Sequence, residues 1–254
     1  MIVLEADNIV KVYGGVGGQC STRALDGISF TIQKGEFVGI MGPSGSGKTT
    51  LLNILSGIDK PTIGHVYIAE KNISKMNKSE MAVFRRQQLG FVFQEFNLMD
   101  SLTLKENVML PMVLDKKPTE YMEEKAKNVM TKFGIYDIAN KYPYNISGGQ
   151  QQRVAVSRAI VNNPSIILAD EPTGNLDSKA SKAIMECFEN MNKEDSRTIL
   201  VVTHDVFAAS YCNRVIFIKD GKIDSEIVKK GDRKGFMDQV MNCVAVLGGD
   251  KGDL

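Results

Sequence analysis

The chain has 254 residues, 43% hydrophobic and 24% charged, an ordinary globular composition for one large domain or one core with a small inserted lobe. Its 31 Lys and Arg stand against 30 Asp and Glu, and a net charge of +1 lacks the bulk positive field of a nucleic-acid binder, so none is expected as partner. The longest charge-free runs, Phe37–Gly47 among them, are eleven residues, about half of what a membrane-spanning helix needs. Met1-Ile2-Val3-Leu4-Glu5 carries no basic region leading into an apolar one, so no signal peptide is expected. Cys20, Cys187, Cys212 and Cys243 are scattered without a CxxC pair, which predicts a reduced cytosolic chain with incidental thiols.

Near-alternating apolar residues predict strands over Leu4–Tyr13 and Leu25–Gln33, joined by a loop rich in glycine (Gly14, Gly15, Gly17, Gly18). Phe37–Met41 is a short apolar run ending at Gly42, Thr49–Leu55 reads as helix, and His65–Ala69 as another short strand. Helices then dominate. Lys78–Gln88 is basic, and Leu104–Leu114 follows a capping box of Thr103 and Glu106. Pro118 opens a helix that stops at Gly134, and a second capping box, Ser147 with Gln150, starts Gly148–Asn162. Strand and helix alternate again through Ile166–Ala169, Ser178–Met191, Ile199–Thr203 and Val206–Tyr211. Val215–Ile218 and Lys222–Ile227 flank the turn Asp220-Gly221, and the tail Gly235–Leu247 is weakly helical. Buried strands alternating with helices imply an α/β fold with a mostly parallel core sheet covered on both faces, an N-terminal antiparallel β portion and an inserted α-helical lobe.

Gly42-Pro43-Ser44-Gly45-Ser46-Gly47-Lys48-Thr49 matches GxxxxGK[ST] between an apolar strand and a helix, the context that gives this motif meaning. Such a loop wraps its backbone around phosphates, with Lys48 reaching the β- and γ-phosphates and Thr49 holding Mg²⁺; the nucleotide-binding run extends to Thr50. Asp170 and Glu171 follow the apolar strand Ile166–Ala169. Beside a phosphate loop, Asp170 suits the magnesium shell and Glu171 an attacking water; in isolation the pair would read as ordinary capping or loop acids. Ile146-Ser147-Gly148-Gly149-Gln150 opens a helix with exposed N–H groups, the features of a second anion site and equally of a plain capped helix start.

Together these residues resemble the P-loop, acidic and signature motifs of ABC-type ATPases, with Ile146 in place of the usual leucine. The resemblance runs from Tyr13 to His204 and implies the ABC ATPase fold as a single domain over 1–254: a RecA-like core of about 1–94 and 163–230 with its β-subdomain, a helical lobe of about 95–162 and a tail of about 231–254. It implies that Tyr13 stacks on adenine, where a packed strand-end tyrosine is the alternative. Gln94 is similar to the glutamine that touches Mg²⁺, Asp177 in Gly174-Asn175-Leu176-Asp177 to an interface aspartate, and His204 to the histidine that contacts the γ-phosphate. Taken alone, Gln94 and His204 would read as strand-end residues. Catalysis is thereby expected of Lys48, Glu171 and His204, metal binding of Thr49, Gln94 and Asp170, and a contribution across a homodimer of Ser147, Gly148, Gly149 and Gln150.

MGPSGSGKTTLLNILSGID, FNLMDSLTLKENVMLP and ADEPTGNLDS are similar to the subfamily serving lipoprotein release, macrolide export and antimicrobial-peptide resistance. THDVFAASYCNRVIFIKDGKI and Val246-Leu247-Gly248-Gly249 look most like ATPases of Bce-type, bacitracin-handling transporters. That likeness implies ATP and Mg²⁺ as cofactors and an FtsX-like membrane permease as partner. It also implies a two-component sensor kinase reached through that permease, and a place on the cytoplasmic side of a bacterial membrane. The alternatives are an ATPase of a related lipoprotein-release, macrolide-export or cell-division complex, or an ABC ATPase acting on DNA or ribosomes. The last would add coiled coils, zinc modules or a second cassette that this chain lacks; a non-hydrolysing cassette is opposed by Lys48, Glu171 and His204.

Overall fold

The computed structural model describes residues 1–14 and 21–249, so Gly15, Gly17, Gly18 and Cys20 lie outside the described residues. Two sheets organise the chain. In the first, β1 (Ile2–Tyr13), β2 (Thr22–Gln33), β4 (Ile63–Ile68) and β5 (Lys71–Asn72) run antiparallel in the order β2-β1-β4-β5. β1 is longer than the alternation predicts because β2 and β4 hydrogen-bond to both its edges. β4 stops before Ala69, whose φ of 48° cannot continue a strand.

The second sheet places β3 (Phe37–Met41), β6 (Leu89–Val92), β7 (Ile166–Asp170), β8 (Ile199–Val202), β9 (Arg214–Lys219) and β10 (Lys222–Val228) in the order β10-β9-β3-β8-β7-β6. Five strands are parallel; β10 returns antiparallel along β9 through Asp220-Gly221, both at positive φ as a tight hairpin turn requires. The apolar runs divide residue by residue between two cores. Ile167, Ala169, Ile199, Val201, Val215 and Phe217 face one, and Ile166, Leu168, Leu200, Val202, Ile216 and Ile218 face the other. A strand buried on both faces therefore reads as continuously apolar.

α1 (Lys48–Leu55), α2 (Lys78–Gln88) and the antiparallel sheet cover one face through Leu51, Met81, Leu4 and Leu25. The other face carries the helical lobe of α3 (Leu104–Leu114), α4 (Thr119–Lys132) and α5 (Gly148–Ile160), with α6 (Ser178–Asp195), α7 (Val206–Ala209) and α8 (Arg233–Gly249). Both expected capping boxes form, at Thr103/Glu106 and Ser147/Gln150, and a third forms at Asn77/Glu80. α6 runs past Met191 to Asp195 and is capped by Ser196, where φ turns positive at 51°. α8 is more than the weakly helical tail its sequence predicts, since Phe236 and Val240 are fully buried.

Candidate nucleotide site

The expected site residues converge because four neighbouring parallel strands, β3, β8, β7 and β6, end on one side of the sheet. From β3 comes Gly42–Thr49, from β8 His204, from β7 Asp170 with Glu171, and from β6 Gln94. Crevices at the carboxyl ends of parallel strands are where open α/β sheets take ligands.

The loop after β3 is shaped by what it lacks. A Cβ on Gly42 would lie 2.1 Å from the Ile218 carbonyl oxygen, and one on Gly47, which caps α1 at φ 100°, would lie 2.5 Å from that of Ala24. Only glycine can pass there, so the loop runs close against Ile218 and Ala24 into the start of α1, where the first N–H groups of a helix have no partner within it. The Ser46 hydroxyl is buried without a hydrogen-bond partner, a donor awaiting an acceptor. Lys48 Nζ folds over the loop, donating to the carbonyls of Gly42 at 2.8 Å and Pro43 at 2.9 Å. Burial pushes its ammonium below the usual lysine range, opposed by Glu171 and Asp170, which places all three charges together. A phosphate chain is the counter-ion this cradle fits.

Asp170 is pushed up first by burial and then by the neighbouring Glu171, against Lys48. An acid so placed gains from a cation, the donor chemistry of a magnesium shell. Glu171 sits at φ 44°, a strained position for a glutamate, held by its N–H to the Val202 carbonyl at 2.9 Å. Both of its carboxylate oxygens are engaged. Thr203 Oγ1 donates to Oε2 at 3.2 Å, the His204 N–H to the same oxygen at 3.4 Å, and His204 Nδ1 stands 2.7 Å from Oε1. The His204 ring is otherwise open to solvent.

Tyr13 is exposed, with its hydroxyl donating to Asp59 Oδ2 at 2.9 Å and lying beside Thr50, so the ring stands next to the phosphate loop's helix. Lys11 Nζ rests 4.8 Å from the ring centroid and donates to Asp59 Oδ1, fixing the aromatic plane. Ser147 and Gln150 form their reciprocal cap on the helical lobe, and with Gly149 and Asp177 they line one depression of about 320 Å³. A Cβ on Gly148 would lie 3.5 Å from the side chains of Phe96 and Leu176, so the start of α5 lies beside the segments that follow Gln94 and Gly174. Asp177 caps α6 by accepting from the Ala180 N–H at 2.8 Å.

The partners that Asn175, Gln152, Thr203 and Asp59 find escape a reading of the sequence. Each is a polar residue whose partner lies far along the chain, and only Gly174, just before Asn175, hints at a close approach.

Fold and phosphate cradle define a P-loop nucleotide-binding protein. A family model described as ABC transporter matches residues 25–174, and the chain belongs to that family as an ATP-binding, ATP-hydrolysing transporter subunit. It is similar to the ABC transporter ATP-binding protein YxdL of Bacillus subtilis, 51% identical over 99% of this chain and 97% of the relative. The bacitracin export ATP-binding protein BceA of Halalkalibacterium halodurans is 49% identical over 100% of each. A dimeric, post-hydrolysis structure of the ATP-binding cassette MJ0796 of Methanocaldococcus jannaschii, bound to ADP and Pi, superposes with a TM-score of 0.81 at 43% identity, covering 90% of this chain and 99% of that one. Among the described residues, no helix is long and apolar enough to cross a membrane.

Proposed function

We propose that the chain drives a bacitracin-type antimicrobial-peptide transporter from the cytoplasmic face of a bacterial membrane, bound to an FtsX-like permease and through it to a sensor kinase. What carries the catalytic reading is the meeting of Gly42–Thr49, Asp170, Glu171, His204 and Gln94 at the ends of four adjacent strands. The substrate class rests on the full-length likeness to the bacitracin exporter subunit. In this reading the nucleotide lies along the run from Gly42 through Pro43, Ser44, Gly45, Ser46, Gly47, Lys48, Thr49 and Thr50, with adenine against Tyr13. Thr49, Gln94 and Asp170 hold Mg²⁺, which when bound supplies neutralising charge to the phosphates. Lys48 trades the carbonyls of its own loop for phosphate oxygens. Glu171 takes the proton of an attacking water once its carboxylate is released from Thr203 and His204, and the freed imidazole turns to the γ-phosphate.

The second wall of each site comes from another copy, through Ser147, Gly148, Gly149, Gln150 and Asp177, so two copies close head to tail over two nucleotides. The helical lobe of about 95–162 and the core of about 1–94 and 163–230 are the parts that close, and within the tail of about 231–254 the helix α8 packs behind the core through Phe236 and Val240. The ATPase test is Glu171→Gln in purified protein and in the host bacterium. ATP affinity is expected within about threefold of wild type, turnover about a hundredfold lower or less, and resistance to bacitracin-type peptides lost as in a deletion strain. Wild-type turnover would remove Glu171 as base; a deletion strain with unchanged peptide sensitivity would remove the substrate class.

A further inference from the structure

A reciprocal pair of amide side chains links the segments that follow β6 and β7. Gln94 Nε2 donates to Asn175 Oδ1 at 3.2 Å, and Asn175 Nδ2 donates back to the Gln94 backbone carbonyl at 3.2 Å. Gly174 makes the approach feasible, since a Cβ there would lie 2.7 Å from Gln94 Nε2 and 3.0 Å from its Cδ. Beneath the pair, fully buried Gln152 on α5 donates from one nitrogen to the Phe93 carbonyl at 3.3 Å and the Pro172 carbonyl at 2.6 Å, stapling the two segments together at their base. Register brings the same ends together, with Val92 opposite Ala169.

The chemistry of the pair has a direction. A backbone carbonyl can only accept, so Asn175 must turn its nitrogen to Gln94 O. Its oxygen then faces the Gln94 side chain, which must answer with its own nitrogen. Gln94 Oε1, the end of the amide that a cation can use, is thereby turned away from Asn175. We infer that Asn175 is a positioning residue that sets the orientation of the Gln94 carboxamide so that its oxygen is presented to a divalent cation. The inference rests on the proposed magnesium contact of Gln94. Asn175 itself touches neither metal nor nucleotide.

The test separates metal from nucleotide. In a Glu171→Gln background, binding of a fluorescent ATP analogue is followed in EDTA and as a function of Mg²⁺. Asn175→Ala is expected to leave affinity in EDTA within about twofold and to raise the Mg²⁺ concentration for half-saturation about fivefold, the worth of about one lost hydrogen bond. Asn175→Asp, of the same shape but with no donor for Gln94 O, is expected to shift it at least as far. With Gln94→Ala also present, Asn175→Ala should add nothing, because the amide it orients is gone. A wild-type Mg²⁺ requirement in both Asn175 variants, an equal loss in EDTA, or full additivity with Gln94→Ala would overturn the inference while leaving the role of Gln94 intact. If Gln94→Ala alone leaves the Mg²⁺ requirement unchanged, the magnesium reading of Gln94 falls and this inference with it.

Discussion

Asp170 shows how a site gives up stability for function. Its carboxyl is raised by burial first and by Glu171 second, so the nucleotide-free fold holds a charge it would rather shed. The sign follows from linkage. A carboxyl raised in the folded state keeps its proton to higher pH than in the unfolded chain, so stability falls as pH rises from the ordinary aspartate value through the raised one. Asp170→Asn is therefore expected to melt higher than wild type at neutral pH without nucleotide, with the gain shrinking as pH drops from the raised value towards the ordinary aspartate value and gone below it. Thermal melts across that range check it, and a mutant that melts lower at pH 7 would refute the account. The same substitution should abolish the extra stability that Mg²⁺ with ATP gives the wild type.

Among the helices, α8 departs furthest from its sequence signal. Its polar and glycine-containing run predicts a weak helix, yet Phe236 and Val240 insert into the core that contains Ala208, Ala209, Tyr211 and Cys212. Arg233 stacks 4.3 Å from the centre of the Tyr211 ring, and Lys229 donates to the Ser210 carbonyl at 3.1 Å. α8 thus backs the short helix that follows His204. Phe236→Ala is expected to cost about 3–5 kcal/mol, the usual loss for an emptied aromatic core position. Urea unfolding measures it, and a loss below about 1 kcal/mol would mean that α8 is not anchored there.

The placement of Ser147 bears on the proposed head-to-tail pairing of two copies. Its capped helix start opens beside Asp177 on the helical lobe, while the phosphate loop follows β3 in the core sheet. If each site is completed by a second copy, Ser147→Arg blocks ATP-driven dimerisation in the Glu171→Gln background but leaves monomer ATP affinity within about threefold. Mixing Ser147→Arg chains with Lys48→Ala chains should restore dimers with one closed site of two, detected by light scattering and one bound nucleotide per pair. Equal loss of monomer affinity in Ser147→Arg and Lys48→Ala would refute the shared site.

Much of this was legible in the chain itself, wherever the signal is local. Phe37–Met41 followed by Gly42–Thr49 and a helix needs no distant residue to be recognised, because backbone conformation and phosphate chemistry share a few adjacent positions. Ser147/Gln150 and Thr103/Glu106 are likewise visible, each cap closing within one helical turn. The tertiary structure alone decided the order β10-β9-β3-β8-β7-β6, which turns four scattered motifs into one site. It also decided the bonds of Gln94 to Asn175 and of Gln152 to Phe93, which join residues 81 and 59 positions apart. An amide side chain carries no sequence mark of its partner, since any carbonyl or amide will satisfy it. Which one does is settled only when buried strands, each apolar on both faces, find the neighbours that cover them.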